Sequence, residues 1–379
     1  MRVLVMTVVH HPEDARILHR EIASLVAAGH EVTYAAPFHA TGMAPREYVT
    51  GVDLPRATGR RRASAIRAAR VAYRRLRTGA DIVLLHDPEL LLAVAGCGGG
   101  PPVVWDVHED TAAALGLKPW LPRPTRPLVA AAVRQAECAA ERNMHLLLAE
   151  HAYARRFERT HPVVPNEAVV PPEVPPPGEA RVVYLGWISV ARGAADLVAV
   201  ARRLAPEGVR MELMGTADAT TRPLLKEAVA AGILDWTGFM PNDEALDRVQ
   251  GALAGLSLLH DEANYRHSMP TKVLEYMSCG VPVVTTPSPL AVDLVRRYAC
   301  GTVVPYGNPD AAADAVLALR DDAAARVTAG RRGHLAARAH HDWRIAGAAF
   351  VAQLEAWAGK PAGGPAIPAP SAGKVTQAS

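Results

Sequence analysis

The segment NYRHSMPTKVLEYMSCGVPVV, residues 264–284, carries side chains suited to holding an anion. Pro270 suits the first position of a helix, Gly280 the position just past its end, and Pro282 stops continuation, so the spacing predicts a short helix of known polarity. Ser268 stands ahead of its amino end, where free backbone N–H groups and the helix dipole attract negative charge by roughly 0.3–2 kcal/mol. Lys272 in the first turn adds a full positive charge, and a diphosphate fits that environment. Thr271 and Glu275 lie four residues apart and share a helix face, so Glu275 can accept hydrogen bonds from a ribose diol while Lys272 holds phosphate. The same residues also fit a capped surface helix with an intrahelical Lys–Glu contact.

A second concentration of polar groups is WDVHED, residues 105–110, where His108 follows an apolar strand and has Asp106, Glu109 and Asp110 beside it. A histidine at the carboxyl end of a strand borders the crevice in which open α/β sheets bind ligands; a structural histidine is the other reading. The first loop, TVVHHPEDARI, lacks GxGxxG, which removes the usual dinucleotide signature and argues against a dehydrogenase. His10–His11 and His340–His341 are adjacent pairs that cannot both face one ion from a helix, and no DxD triplet occurs, so no metal and no cofactor is expected.

These residues need elements to position them. Apolar runs at 3–9, 31–36, 81–86, 102–108 and 145–149 alternate with helical patterns, the first near 13–28, which implies a parallel sheet covered on both faces. The stretch 163–180 then carries six prolines, a composition for a stiff extended connector. After it the grammar restarts, with strands at 181–187, 211–216, 233–239, 255–260 and 282–286 and helices near 192–205 and 270–278. The expected organisation is an α/β domain over 1–170 and another over 178–340. A helix at 342–358 is assignable to either domain or packs back on the first, and 359–379 reads as a disordered tail.

Composition agrees with an ordinary globular chain. The 379 residues suffice for about two domains, and a net charge of +3 with half the residues hydrophobic fits neither disorder nor a strongly basic nucleic-acid binder. Four scattered cysteines without a CxxC pair, and a start lacking a signal-peptide pattern, lead us to expect a cytoplasmic protein. Residues 56–79 hold nine arginines around Ile66, Val71 and Tyr73. They form either a basic helix that lies on an anionic membrane or a solvated arginine-rich helix.

The pattern SxPxKxxEYMxxGxPVV over 268–284 resembles the donor-nucleotide segment of retaining glycosyltransferases with the GT-B fold, in the large family 4-like group that builds bacterial polysaccharides and glycoconjugates. HHPEDARILHRE (10–21) followed by AAGHEVT, HDPELL (86–91), WDVHE (105–109), VVPNE (163–167) and YLGWISVARG (184–193) agree in order, across roughly residues 1 to 340. The resemblance implies two Rossmann-like, doubly wound domains facing a cleft, an acceptor-binding first domain and a donor-binding second. The activity implied is metal-independent transfer from a nucleotide diphosphate sugar, UDP the expected nucleotide, to a hydroxyl acceptor that is lipid-linked if the basic helix meets a membrane.

The resemblance also implies roles. Arg192 and Lys272 hold the diphosphate, and His108 contacts the donor sugar. Gly186, His267, Ser268, Met269, Thr271 and Glu275 complete the donor set, while Asp14 and Arg16 lie towards the acceptor. Taken alone, Arg192 is equally a solvated helix residue, and Asp14 with Arg16 equally a salt bridge or a helix cap. The family's paired-glutamate signature has its second member at Glu275, but the first falls on His267. That departure bears on donor orientation, with Ser268 and Met269 left to supply backbone donors. An epimerase or hydrolase on the same fold, or a non-catalytic nucleotide-sugar binder, are the rival readings.

Overall fold

The computed structural model describes residues 1–108, 123–262 and 265–360. Glu109, Asp110, Asn264 and the tail from 361 onward therefore lie outside the described residues. The chain divides into two units, Met1–Pro165 joined by the segment from Arg344, and Asn166–Trp343.

The first unit is a parallel sheet of β1 (Arg2–Met6), β2 (Glu31–Ala36), β3 (Thr50–Asp53), β4 (Ile82–Leu85), β5 (Val103–Val107) and β6 (His145–Leu148), in the order β3-β2-β1-β4-β5-β6. Leu4, Met6, Val83, Leu85, Trp105, Val107, Leu146 and Leu148 form one buried cluster with Ala65, Ala69 and Tyr73 of the helix Arg62–Leu76. The order reverses direction between β1 and β4, the switch point at which such sheets open a crevice. The helix expected at 13–28 is different. Glu21 N–H bonds to Arg16 O, five residues back, at 2.9 Å, so Ile17–Ile22 is π-helical and only Ala23–Ala27 is α-helical. The wider turn buries five of its six residues, including Arg20 and Glu21. Trp343–Trp357 forms the last helix of the described residues, and two of its side chains reach this unit: His30 pairs with Glu355 at 3.1 Å and His145 stacks on Trp357 with centroids 4.5 Å apart.

The second unit repeats the plan with β7 (Glu179–Leu185), β8 (Arg210–Met214), β9 (Leu234–Gly238), β10 (Ala252–Ser257), β11 (Val283–Thr285) and β12 (Gly301–Val303) in the order β12-β11-β10-β7-β8-β9. Its strands are apolar throughout because both faces are covered. Val182 and Tyr184 join Leu197, Val200 and Leu204 on one side, while Val183 and Leu185 join Val273, Tyr276 and Met277 on the other. The helix Thr271–Ser278 lies unusually close to β10. A Cβ on Gly255 would fall 2.4 Å from the Tyr276 ring, so only glycine admits that ring. Tyr276 Oη then donates to Leu256 O at 3.0 Å and accepts from Leu185 N–H at 2.9 Å, pinning the helix across the β7/β10 switch point. Pro270 precedes the first helical residue instead of occupying it.

Candidate functional site

In the second unit the pinned helix sets where Lys272 goes. Its Nζ donates to Tyr184 Oη at 3.1 Å and stands 4.2 Å from the Tyr184 ring centroid, a cation over a π face. The side chain is buried, not solvated as a first-turn lysine would suggest. Gly186 follows β7 with φ +111°, and a Cβ there would sit 3.8 Å from Lys272 Cε. Behind it, a Cβ on Gly215 would meet Gly186 O at 2.0 Å, so the ends of β7 and β8 approach backbone to backbone. Arg192 ends the turn Val190–Arg192, and its guanidinium lies 6.0 Å from the Tyr265 ring. Burial first, and the charge of Arg192 second, push the Lys272 amine well below the ordinary lysine range, with Glu275 opposing. The Tyr184 hydroxyl is raised by burial, with Arg192 opposing. Two basic side chains set together at the start of a helix disfavour each other's charge, which a nearby anion would offset.

Glu275 is buried on the same helix and accepts from Asn242 Nδ2 at 3.1 Å. Thr271, Ser268 and Met269 are half-buried along the approach to the helix, and His267 is exposed. The structure therefore brings Arg192, Lys272 and Gly186 together around Tyr184, with Glu275 one turn along the helix from Lys272. Sequence reasoning missed Tyr184 and Asn242, since a tyrosine inside a strand and an asparagine opening a helix carry no spacing signal.

The first unit gathers polar groups at the carboxyl ends of three adjacent strands. Asp87, after β4, accepts from Thr7 Oγ1 at 2.9 Å and Val9 N–H at 3.1 Å. His10 bridges Asp87 and Asp14 at 3.3 and 3.5 Å. Asp14 Oδ1 accepts from the N–H groups of Arg16 and Ile17 at 2.9 and 3.1 Å, as a helix cap does. Burial would raise the Asp14 carboxyl, but His10 and then His108 hold it far below the carboxylate range. Arg16 is buried and grips Asp106 with two bonds of 2.7 Å, Nε to Oδ2 and Nη2 to Oδ1. His108 Nε2 also contacts Asp106 Oδ2, and His86 Nδ1 is 2.9 Å from His108 Nε2. Burial and the neighbouring His108 hold His86 down at about 4, partly opposed by Asp106. Glu21, sealed beneath them with Arg16 Nε at 2.9 Å, is raised well above the usual carboxyl range by burial and by Asp106.

His86, Asp106 and His108 thus offer ligand atoms within 4.8 Å of one another, a grouping of metal-ligand types that chain spacing concealed because two strands supply it. Both oxygens of its one carboxylate accept from Arg16, whose positive charge opposes a cation there. We read the cluster as a hydrogen-bonded network.

Two family profiles match consecutive parts of the chain: "Glycosyltransferase Family 4" over residues 15–182 and "Glycosyl transferases group 1" over residues 179–322. The chain belongs to the group 1, family 4 glycosyltransferases. Among solved structures, HepE of Anabaena in complex with UDP and glucose is similar at a TM-score of 0.66 and 15% identity, covering 94% of this chain and 100% of that one. WaaG, a glycosyltransferase involved in lipopolysaccharide biosynthesis, gives 0.65 and 13% over 91% and 97%. Sucrose-phosphate synthase from Thermosynechococcus elongatus gives 0.66 and 14% over 91% and 96%. These likenesses establish the GT-B fold. No curated protein matches the chain in sequence.

Proposed function

We propose that the protein is a retaining glycosyltransferase that moves a sugar from a UDP-sugar to a hydroxyl acceptor, without a metal. The observation that carries this reading is the pairing of Arg192 and Lys272 around Tyr184 and Gly186 at the β7/β10 switch point. Departure of a nucleoside diphosphate develops negative charge, and two fixed cations with a helix amino end stabilise it as it forms. Backbone N–H groups near Ser268, Met269 and Thr271 complete the diphosphate cradle, and Glu275 accepts from the ribose. HepE has been crystallised with UDP-glucose, which supports UDP as the nucleotide.

The first unit, over roughly 1–170, takes the acceptor, and the second, over 178–340, the donor. His108 faces a substrate hydroxyl, with Asp14 on the acceptor side. Retention follows if the leaving phosphate receives the acceptor proton on the face it departs from, so that no protein nucleophile is required. His267, standing where the family has a glutamate, leaves donor-sugar contacts to backbone groups nearby.

The nine arginines of 56–79 support peripheral contact with an anionic membrane at the cytoplasmic face and a lipid-linked acceptor. Four have structural partners: Arg56 donates to Val9 O, Arg62 pairs with Glu89, Arg70 reaches carbonyls of Leu92, Ala93 and Ala95, and Arg77 reaches Cys97 O. Arg60, Arg61, Arg67, Arg74 and Arg75 are all exposed or nearly so, without an acidic residue between Asp53 and Asp81.

Calorimetry with UDP, GDP, dTDP and NAD in EDTA tests the reading. UDP is expected to bind, and Lys272→Ala to weaken it by about 1.5–3 kcal/mol, roughly 10- to 150-fold. Unchanged UDP affinity in that variant would sink the site. Turnover of UDP-glucose that needs no hydroxyl acceptor would favour an epimerase or hydrolase, and UDP-glucose binding without any turnover a non-catalytic partner.

A further inference from the structure

His108 stands two residues after Asp106, so an extended backbone turns both side chains to the same side of β5. Asp106 is fully buried, and the Arg16 fork holds it in one plane. Arg16 is fixed in turn, its Nη1 donating to Val164 O at 2.9 Å and its N–H to Asp14 Oδ1 at 2.9 Å. The Asp106 carboxylate therefore cannot rotate away from His108. An ionised carboxylate only accepts, and a neutral imidazole has one donor and one acceptor nitrogen. The nitrogen of His108 that touches Asp106 Oδ2 is Nε2, so Nε2 carries the proton.

His86 fits the same assignment. Its Nδ1 lies 2.9 Å from His108 Nε2 and 3.4 Å from Asp106 Oδ2, so with a lone pair at Nδ1 it is a second acceptor for the His108 proton; its Nε2 is 3.6 Å from Glu21 Oε2, beyond hydrogen-bond distance. His10, with ring centroid 5.0 Å from that of His108, faces it from the first loop. Among the described residues no side chain takes Nδ1 of His108, and the His108 side chain is one-tenth exposed.

We infer that Asp106, clamped by Arg16, is a positioning residue that fixes the Nε2–H tautomer of His108 and so leaves Nδ1 to accept a hydrogen bond from a substrate hydroxyl. Arg16, on this assignment, acts through Asp106 and not on the acceptor. The hydroxyl keeps its proton in the resting complex, and no bond is broken by the contact itself. The inference deepens the reading of His108 as a substrate-facing group and rests on it for its kinetic consequence. The tautomer does not depend on that reading.

The test is nitrogen-15 NMR of the full chain labelled at histidine, with His108 assigned by the signals lost in His108→Gln. The wild-type protein is expected to show His108 protonated at Nε2 alone, and Asp106→Asn to shift it to Nδ1–H as the amide N–H₂ turns towards Nε2. An Nδ1–H tautomer in the wild type, or a mixture that Asp106→Asn leaves unchanged, would overturn the assignment. Should Asp106→Asn fail to fold, with Arg16 buried beside a neutral amide, the wild-type spectrum decides alone. In turnover of UDP-glucose, Asp106→Asn is expected to lower kcat at least tenfold, with KM and UDP affinity within twofold of wild type. A switched tautomer with unchanged kcat would refute the role. A wild-type chain that does not turn over UDP-glucose counts against the proposed function and leaves the tautomer measurement standing.

Discussion

Lys272 places its amine where charge is costly. Burial and Arg192 both disfavour its protonated form, and the anion it faces would favour it. The sign follows directly. Lys272 binds its proton less tightly in the folded chain than in the unfolded one, so its contribution to stability rises with pH from the lowered folded value up to the usual lysine value. A bound diphosphate reverses the shift, and the complex takes up protons. UDP binding measured in buffers of different ionisation enthalpy is expected to show uptake of a fraction of a proton, and Lys272→Met to abolish it. A heat independent of buffer would contradict the assignment. At this scale the sequence was readable where chemistry and chain spacing coincide, as with Lys272 and Glu275 between Pro270 and Gly280. It was unreadable where strands assemble the partners: Arg16, read with Asp14 as an acceptor-side pair, a salt bridge or a helix cap, meets Asp106 ninety residues away.

Lys272 and Glu275 belong to the helix Thr271–Ser278, whose placement depends on a void in β10. Tyr276 fills the space that Gly255 leaves and joins a donor of β7 to an acceptor of β10. Gly255→Ala should cost about 1–3 kcal/mol, as overpacking of a core does. Because the displaced helix carries Lys272, UDP affinity should fall with it. Thermal unfolding and calorimetry on the one variant check both, and a loss of stability with UDP affinity intact would uncouple the helix position from the site. Long apolar strands such as VVYL and LLL announced themselves, since a strand covered on both faces has no polar alternation to blur it. The short edge strands β3, TGVD, and β12, GTV, did not, having too few apolar residues to signal burial. The helix Ala323–His340 also escaped, because alanine, glycine and arginine give it almost no apolar stripe. The π-helical turn at Ile17–Ile22 has no signal in residue type; it arises from tertiary burial of Arg20 and Glu21.

For the molecule as a whole, the division of the arginines predicts which of them matter to what. Near an anionic bilayer each exposed arginine contributes about 1 kcal/mol. Replacing Arg60, Arg61, Arg67, Arg74 and Arg75 together by Ala should weaken binding to vesicles rich in anionic phospholipid at least a hundredfold at low salt, with the melting temperature unchanged. Arg70→Ala should do the opposite, lowering the melting temperature because three carbonyls at the end of Pro88–Val94 lose their donor. Flotation and thermal unfolding distinguish the two, and equal binding by the five-fold variant would remove the membrane from the proposal. No helix among the described residues is long and apolar enough to cross a bilayer.

The first unit is sewn from two distant stretches, with its closing helix returning only after Trp343. On a ribosome the order of completion is therefore inverted. The second unit, an unbroken run of 178 residues from Asn166 to Trp343, has its whole sequence outside the tunnel first. The sheet of the first unit waits for a helix encoded after the whole second unit before His30 and His145 find Glu355 and Trp357. A nascent chain stalled before the helix Trp343–Trp357 would hold a complete second unit and an incomplete first one, so of the two the unit that is begun earlier is sealed later.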